Sequence, residues 1–234
     1  MKFTFQPWES KILKLPVFTL KSQKISQLKL ADLEKLPHSS LVSVRVSRRA
    51  AKQARQLKKL GFYLVENYRQ YECGTKITKE SGPRTVEIKI IGPEATAVCR
   101  RLAKQSFRYD RFHCDPQIKK SLADKSRASW IANALNGRAL FVLGAFINKK
   151  LIGFIDVNKK SNIGIIDLLA VNSHYRQQRI ASQLIQSAKS ILKNKRIHRI
   201  QVGTQTKNFP AISCYHKNNF KIIASYNTFH YHKS

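Results

Sequence analysis

The chain has 234 residues, of which 42% are hydrophobic, and its 44 Lys and Arg against 13 Asp and Glu give a net charge of +31. This hydrophobic content supports a packed core and argues against disorder, and no apolar stretch approaches the roughly 20 residues of a membrane helix. The N-terminus lacks the apolar segment of a secretion signal, so a cytoplasmic location is expected. The positive charge predicts attraction to polyanions, although a generally basic proteome would explain it equally well.

Cysteine and histidine spacing argues against a structural metal. The four cysteines are scattered without a CxxC pair, which is not typical of a zinc module or of a disulfide framework. His230 and His232 are the one close pair of histidines, and a period of two places both on one face of a strand. No carboxylate or cysteine stands near them in the sequence, so no metal is expected.

The first 82 residues are predicted to form a small α/β unit. Alternating apolar residues predict a strand over 41–46, an alanine-rich basic stretch predicts a helix over 48–59, and a second strand follows over 62–66. The Glu80-Ser81-Gly82-Pro83 segment indicates a boundary, which divides the chain into domains 1–82 and 83–234. The end of the first unit resembles the end of the second, which suggests a partial copy.

The second unit alternates strands and helices. Its predicted strands cover residues 85–91, 139–147, 151–158, 162–171 and 198–205, and a closing β pair covers 220–225 and 228–232. Its predicted helices cover 94–105, 118–135, a segment from Ile180 and 210–217. Asn148-Lys149-Lys150 is a short polar link suited to a hairpin.

One strand runs directly into a polar turn and then a helix. The apolar residues 165–171 are followed by a turn rich in amides and basic groups, and the helix begins at once. The first N–H groups of a helix lack partners within it, and the helix dipole favours negative charge there. This segment is therefore predicted to bind an anion such as a pyrophosphate.

The same segment resembles the acetyl-CoA motif of the GNAT superfamily of N-acetyltransferases, Gln/Arg-x-x-Gly-x-Gly/Ala after a hydrophobic strand. The match runs from Arg176 to Ala181, except that Arg179 stands where the family has glycine. The resemblance implies an α/β fold with a central mixed, mostly antiparallel twisted sheet flanked by helices, and acetyl-CoA as cosubstrate. It also implies that backbone N–H groups polarise the thioester where the strand bulges near residues 169–171. The implied cofactor-binding residues are Leu169, Ala170, Val171, Arg176, Gln177, Gln178, Arg179, Ile180, Ala181 and Asn208.

A second stretch resembles the closing pattern of the same family. Asn208 precedes a short predicted helix that carries Tyr215, and Phe220 begins the last strand region. In the family the asparagine helps to hold the pantetheine arm and the tyrosine donates a proton to the departing CoA thiolate. Tyr215 is thus the implied catalytic acid; a neighbouring Cys214-His216 nucleophile is disfavoured because adjacent helical residues point in different directions.

The overall layout is similar to that of bacterial dTDP-fucosamine acetyltransferases, which implies a nucleotide-linked amino sugar as the acceptor. The Arg-Phe-His-x-Asp-Pro segment is the candidate acceptor loop, with Arg111 and His113 as substrate-binding residues. The sequence identifies no base for the acceptor amine and leaves open whether the chain forms a homodimer. Acetylation of a protein or another small amine, and a non-catalytic module that binds nucleic acid through its charge, remain as alternatives.

Overall fold

The computed structural model describes residues 3–77 and 85–233, and ten strands within these ranges form one sheet. The strands are Thr4–Phe5 (β1), Val17–Leu20 (β2), Leu41–Ser47 (β3), Tyr63–Gly74 (β4), Glu87–Ile90 (β5), Phe141–Ile147 (β6), Lys150–Lys160 (β7), Ile163–Val171 (β8), Arg199–Gln205 (β9) and Lys221–His232 (β10). The α-helices in the same ranges are Pro7–Leu13 (α1), Leu30–Glu34 (α2), Ala51–Lys59 (α3), Thr96–Ser106 (α4), Lys120–Asn133 (α5), Ile180–Asn194 (α6) and Phe209–Lys217 (α7).

The sheet is mixed and mostly antiparallel, as predicted. Its strand order is β1-β2-β3-β10-β4-β9-β8-β7-β6-β5, and only the β2–β3 and β8–β9 neighbours among these strands are parallel. Consecutive strands β6, β7 and β8 form a meander, whereas β10 returns from the end of the chain to lie between β3 and β4.

Helices cover both faces of the sheet because its strands are apolar on both sides. On β7, Ile155 packs in a core with α6, while its neighbour Phe154 packs in a separate core with α4 and α5. Successive side chains of a strand point to opposite faces, so these two cores lie on opposite sides. No helix in the described ranges is long and apolar enough to cross a bilayer.

The strand predictions hold in the middle of the chain, but the prediction of a closing β pair is wrong. The predicted hairpin after Ile147 is present, but its turn has two residues, Asn148 and Lys149, both with positive φ, because Lys150 already belongs to β7. At the end of the chain, however, residues 221–232 form one continuous strand that bonds β3 on one side and β4 on the other. Two flanking partners keep this strand extended where the sequence predicted a turn.

The N-terminal strands belong to the same sheet as the rest of the chain. Strand β4 pairs with β9 on one edge and with β10 on the other, so both of its neighbours come from the second half of the sequence. The predicted boundary between residues 82 and 83 lies in 78–84, outside the described residues. The division into domains therefore stays a prediction.

Candidate functional site

Strands β8 and β9 separate halfway along their length and open a cavity. They pair from Ile163 opposite Arg199 to Ile166 opposite Val202; beyond that point β8 bonds only β7 and β9 bonds only β4. The cavity has a volume of about 1730 Å³, and the separated ends of both strands line it. A concave site of this size at a strand separation is the natural place for a ligand.

A β-bulge lies at the point where the two strands separate. Asp156 pairs with Leu168 and Val157 pairs with Ile166, so Asp167 is an extra residue on β8. The sequence placed the bulge near residues 169–171, and the structure places it at Asp167, just before them. Asp167 lines the cavity.

Two backbone N–H groups after the bulge face the separation. The Asn172 N–H donates to the Ile152 oxygen of β7 at 2.8 Å. Because successive peptide groups of a strand point in opposite directions, the N–H groups of Leu169 and Val171 point away from β7. They are placed to donate to an oxygen atom of a ligand held between β8 and β9.

The turn before α6 adopts the backbone conformation that favours glycine. Gln177 has φ of 63° and Arg179, the N-cap of α6, has φ of 59°. The left-handed region costs a residue with a Cβ about 1 to 2 kcal/mol, which explains why the resembling motif has glycine here. The Arg176 side chain donates to the Val171 carbonyl at 3.1 Å and ties the turn to the end of β8.

All but one of the predicted cofactor-binding residues line the cavity. The exception is Gln178, which does not contribute to the wall. The residues that do are Leu169, Ala170, Val171, Arg176, Gln177, Arg179, Ile180, Ala181 and Asn208. The structure therefore brings the strand end, the helix N-terminus and the second stretch to one surface.

The left-handed conformation of residue 179 predicts an inverted order of stability for two substitutions. Both Arg179→Ala and Arg179→Gly remove the side chain, so their difference isolates the backbone. We expect the glycine variant to be more stable by about 1 kcal/mol in urea unfolding, because only the alanine carries a Cβ. At Arg55, an exposed residue in the middle of α3, the same pair should show the opposite order.

Asn208 begins helix α7 as its N-cap. Its Oδ1 accepts from the Ala211 N–H at 3.4 Å, and its Nδ2 donates to Thr204 Oγ1 at 3.1 Å. These two hydrogen bonds pair the Ala211 N–H and the Thr204 hydroxyl, and so they fix the start of α7 beside the cavity.

Tyr215 lies on α7 in the wall of the cavity, with its ring in the core. The ring centroid is 6.0 Å from that of Tyr71 and 5.6 Å from that of Phe220. Burial raises the pKa of the Tyr215 hydroxyl above its ordinary value. The group therefore stays protonated at neutral pH and is able to donate a proton.

Arg111 lines the far end of the cavity from the loop before α5. Its guanidinium donates to Ser43 Oγ at 2.7 Å and forms an ion pair with Glu9. The arginine is partly buried, and its charge is compensated by this carboxylate.

His113 does not reach the cavity surface, unlike Arg111. Its Nδ1 lies 2.6 Å from Asp110 and its Nε2 lies 3.0 Å from Asp124, so carboxylates occupy both ring nitrogens. Burial tends to lower the pKa of His113, but the hydrogen bond and charge of Asp110 outweigh it and raise the pKa. The ring thus supports Asp110 from behind rather than contacting the cavity.

Two polar atoms in the wall near Arg111 are buried without a hydrogen-bond partner in the described residues. They are Glu9 Oε2 and Trp130 Nε1, and both residues line the cavity. One is an acceptor and the other a donor, and a buried polar group of either kind is costly when unpaired. No local sequence pattern marks either residue, because each is brought to the cavity only by folding.

Gly203 allows the Tyr68 side chain to lie against β9. A Cβ on Gly203 would stand 1.4 Å from the Tyr68 hydroxyl oxygen, and Tyr68 also packs under Arg45, 4.2 Å from ring centroid to guanidinium carbon. We expect Gly203→Ala to lower the free energy of unfolding by about 1 to 3 kcal/mol in urea denaturation. In a Tyr68→Ala background the same change should cost little, and equal costs in both backgrounds would contradict this packing.

The pair His230 and His232 has a carboxylate beside it, which corrects the expectation from sequence. Asp115 Oδ2 lies 2.5 Å from His230 Nδ1 and 2.9 Å from His232 Nε2, and the Tyr63 hydroxyl donates to Oδ1 at 2.7 Å. Ligand atoms of the three residues lie within 4.8 Å of one another, so this set could hold a metal. The hydrogen bonds already engage both carboxylate oxygens, and burial lowers the pKa of His230 to about 4 despite Asp115.

Sequence similarity connects this chain with known proteins. The profile of the family described as "Acetyltransferase (GNAT) family" matches residues 99–220, which is more than half of the chain. The chain is 30% identical over 137 residues to the spore coat polysaccharide biosynthesis protein SpsD of Bacillus subtilis (strain 168), covering 58% of this chain and 47% of SpsD. It thus spans about half the length of SpsD.

Two further similarities come from one archaeon. The chain is 24% identical over 144 residues to spermidine N(1)-acetyltransferase of Thermoplasma acidophilum, covering 59% of this chain and 89% of that protein. The crystal structure of PaiA N-acetyltransferase from the same organism in complex with coenzyme A aligns with a TM-score of 0.51 and 23% identity, covering 63% of this chain and 98% of that one. At this identity the alignment speaks for the fold alone.

Proposed function

The chain belongs to the acetyltransferase (GNAT) family, and we propose that it transfers an acetyl group from acetyl-CoA to a primary amine of a nucleotide-linked amino sugar. The predicted GNAT fold and family are confirmed by the profile match, and acetyl-CoA is the donor that this family uses. The observation that carries the proposal is the separation of β8 and β9 beside the N-terminus of α6.

Each part of acetyl-CoA has a matching surface in this arrangement. The first N–H groups of α6 suit the pyrophosphate, since a helix N-terminus attracts negative charge. The thioester fits between β8 and β9, where the N–H groups of Leu169 and Val171 would stabilise the oxyanion that forms on attack. Tyr215, protonated and in the wall, would donate a proton to the departing sulfur.

The far end of the cavity supports a hydroxylated acceptor. Sugar hydroxyls both donate and accept, so they suit an acceptor such as Glu9 Oε2 and a donor such as Trp130 Nε1. SpsD is named for polysaccharide biosynthesis, which agrees with a sugar acceptor.

Charge at the cavity supports the nucleotide part and argues against a polyamine. Lys21 and Arg108 line the cavity, are exposed, and have no acidic partner among the described residues, so they are available to phosphates. A net charge of +31 repels polycations, although a relative is named for spermidine acetylation.

The test is calorimetric titration with acetyl-CoA followed by thiol release with nucleotide amino sugars, unlinked amino sugars and spermidine. We expect acetyl-CoA binding and a kcat/KM for the nucleotide-linked sugar at least about tenfold above the others, since phosphate contacts contribute at least 1.4 kcal/mol. Lys21→Ser and Arg108→Ser should raise the KM for that sugar, and Lys193→Ser on α6 should not.

Two other outcomes of these experiments would assign a different role to the protein. Absence of acetyl-CoA binding at low salt, with steeply salt-dependent binding of nucleic acid, would overturn the enzyme and favour a basic binding module. Acetyl-CoA binding with preference for spermidine or a peptide amine would retain the enzyme and overturn the sugar acceptor.

A further inference from the structure

A carboxylate stands where the acceptor amine must meet the thioester. Asp167 is the bulge residue of β8 and follows Ile166, the last residue of β8 that pairs with β9. It lines the cavity, and its side chain is 19% exposed. The residue therefore lies at the closed end of the separation, two residues before the first N–H group assigned to the thioester oxygen.

A second carboxylate lies behind the first, out of contact with solvent. Asp156 on β7 is fully buried, and its Oδ1 has no hydrogen-bond partner in the described residues. Arg138 bridges the two acids, with its nitrogens 3.3 Å from Asp156 Oδ2 and 3.4 Å from Asp167 Oδ2. Asn158 donates to Asp167 Oδ2 at 2.6 Å.

A fully buried carboxylate such as Asp156 does not ionise freely beside a second carboxylate, even with one guanidinium in contact. Burial, together with the charge of Asp167, raises the pKa of Asp156 to about 7 against the attraction of Arg138. Helix α4 packs on the same side and brings the Cys99 thiol, whose own pKa burial raises to about 12, so it stays neutral. Asp156 thus takes up or releases its proton near neutral pH.

We propose that this carboxylate pair accepts the proton that the acceptor amine must lose, with Asp167 as the group that faces the amine and Asp156 as the positioning residue behind it. The inference rests on the proposed function. A protonated amine has no lone pair, so one N–H proton passes first to Asp167, directly or through one water.

The remaining protons of the reaction are accounted for by Tyr215, the carboxylate pair and water. The free lone pair forms the C–N bond with the thioester carbon, and collapse of the tetrahedral intermediate breaks the C–S bond. Tyr215 gives its proton to sulfur and regains one from the nitrogen, which must lose a second proton to become an amide. The net reaction releases one proton, which leaves through the carboxylate pair to water.

The test is the pH dependence of kcat for the parent, Asp167→Asn and Asp156→Asn, with the acceptor that gives the highest parent rate. The parent should lose activity below about pH 7. Asp167→Asn should lower kcat by about 10²- to 10⁴-fold at pH 7. Its rate should then rise with pH, without a plateau, toward the pKa of the free amine, where solution supplies the neutral form. Asp156→Asn should move the loss of kcat on the acid side to lower pH.

Controls separate a failed inference from a failed fold or function. Glu87→Gln, an exposed acid on β5, should leave the profile unchanged. Acetyl-CoA affinity and the unfolding midpoint are measured for every variant, because only a variant that binds acetyl-CoA like the parent tests the base. A parent without thiol release would overturn the proposed function. If the parent were active and both Asp variants kept its acid-side pH dependence, the role of the carboxylate pair as proton acceptor would be overturned, and the proposed function would stand. An Asp167→Asn variant with the parent's kcat would have the same meaning.

Discussion

Replacing Tyr215 with phenylalanine is expected to lower kcat by about 10²- to 10⁴-fold while leaving the affinity for acetyl-CoA unchanged. The ring packs against Tyr71 and Phe220, and phenylalanine keeps these contacts. Only the hydroxyl is lost, and with it the proton for the departing thiolate. Calorimetry with acetyl-CoA and initial rates of thiol release measure the two quantities separately.

Tyr175 supplies the matched control for this substitution. It also lines the cavity, in the turn before α6, but it lies on the coenzyme side and has no part in the proposed proton transfer. Tyr175→Phe should change kcat by less than about threefold, below the range expected for loss of an acid. If Tyr215→Phe turned over at the parent rate, another group would have to protonate the thiolate.

Replacing Asp115 with alanine is expected to lower the free energy of unfolding by about 3 to 5 kcal/mol. The carboxylate is buried and accepts from the Tyr63 hydroxyl, the Gln117 N–H and the rings of His230 and His232. Burial tends to raise its pKa, but these hydrogen bonds outweigh the effect and hold the pKa below its usual range. Its removal leaves the buried His230 ring and the partly buried Tyr63 hydroxyl and His232 ring without their acceptor.

Urea denaturation at neutral pH measures this loss. Glu87→Ala provides the comparison, because its pairing with Lys89 is exposed and contributes little. Asp115 lies in the loop between α4 and α5 and hydrogen-bonds to Tyr63 on β4 and His230 on β10. A large loss would show that these hydrogen bonds hold this loop, which also carries Arg111, against the sheet. A loss below about 1 kcal/mol would mean that solvent replaces the carboxylate at low cost.

The strand, turn and helix around residues 165–194 were predictable because their signals are local. Residues 165–171 are apolar, the turn that follows is polar, and Ile180 begins a helix with a regular apolar face. Helix α7 likewise follows from Asn208 and the proline after it. Each of these features depends on residues within one turn or strand of one another, so a linear pattern carries it.

The backbone conformation of Arg179 and the length of β10 could not be predicted from local sequence patterns. Arg179 takes the left-handed backbone of a glycine position, because the path from β8 into α6 fixes it whatever side chain is present. The sequence predicted two strands, 220–225 and 228–232, with Tyr226 and Asn227 between them. Partners on both sides, β3 and β4, keep them in one strand.

The sequence by itself determined the elements of the proposed coenzyme side, since strand, turn and helix N-terminus are consecutive in the chain and their residues line the cavity together. Only the tertiary structure decided the acceptor side and the acid pair. Glu9 meets Arg111 across 102 positions, and Asp115 meets His230 across 115. Asp156 and Asp167 become neighbours through the pairing of β7 with β8. Such contacts depend on strand register and on burial, which changes the charge a carboxylate can carry, and neither is encoded in spacing along the chain.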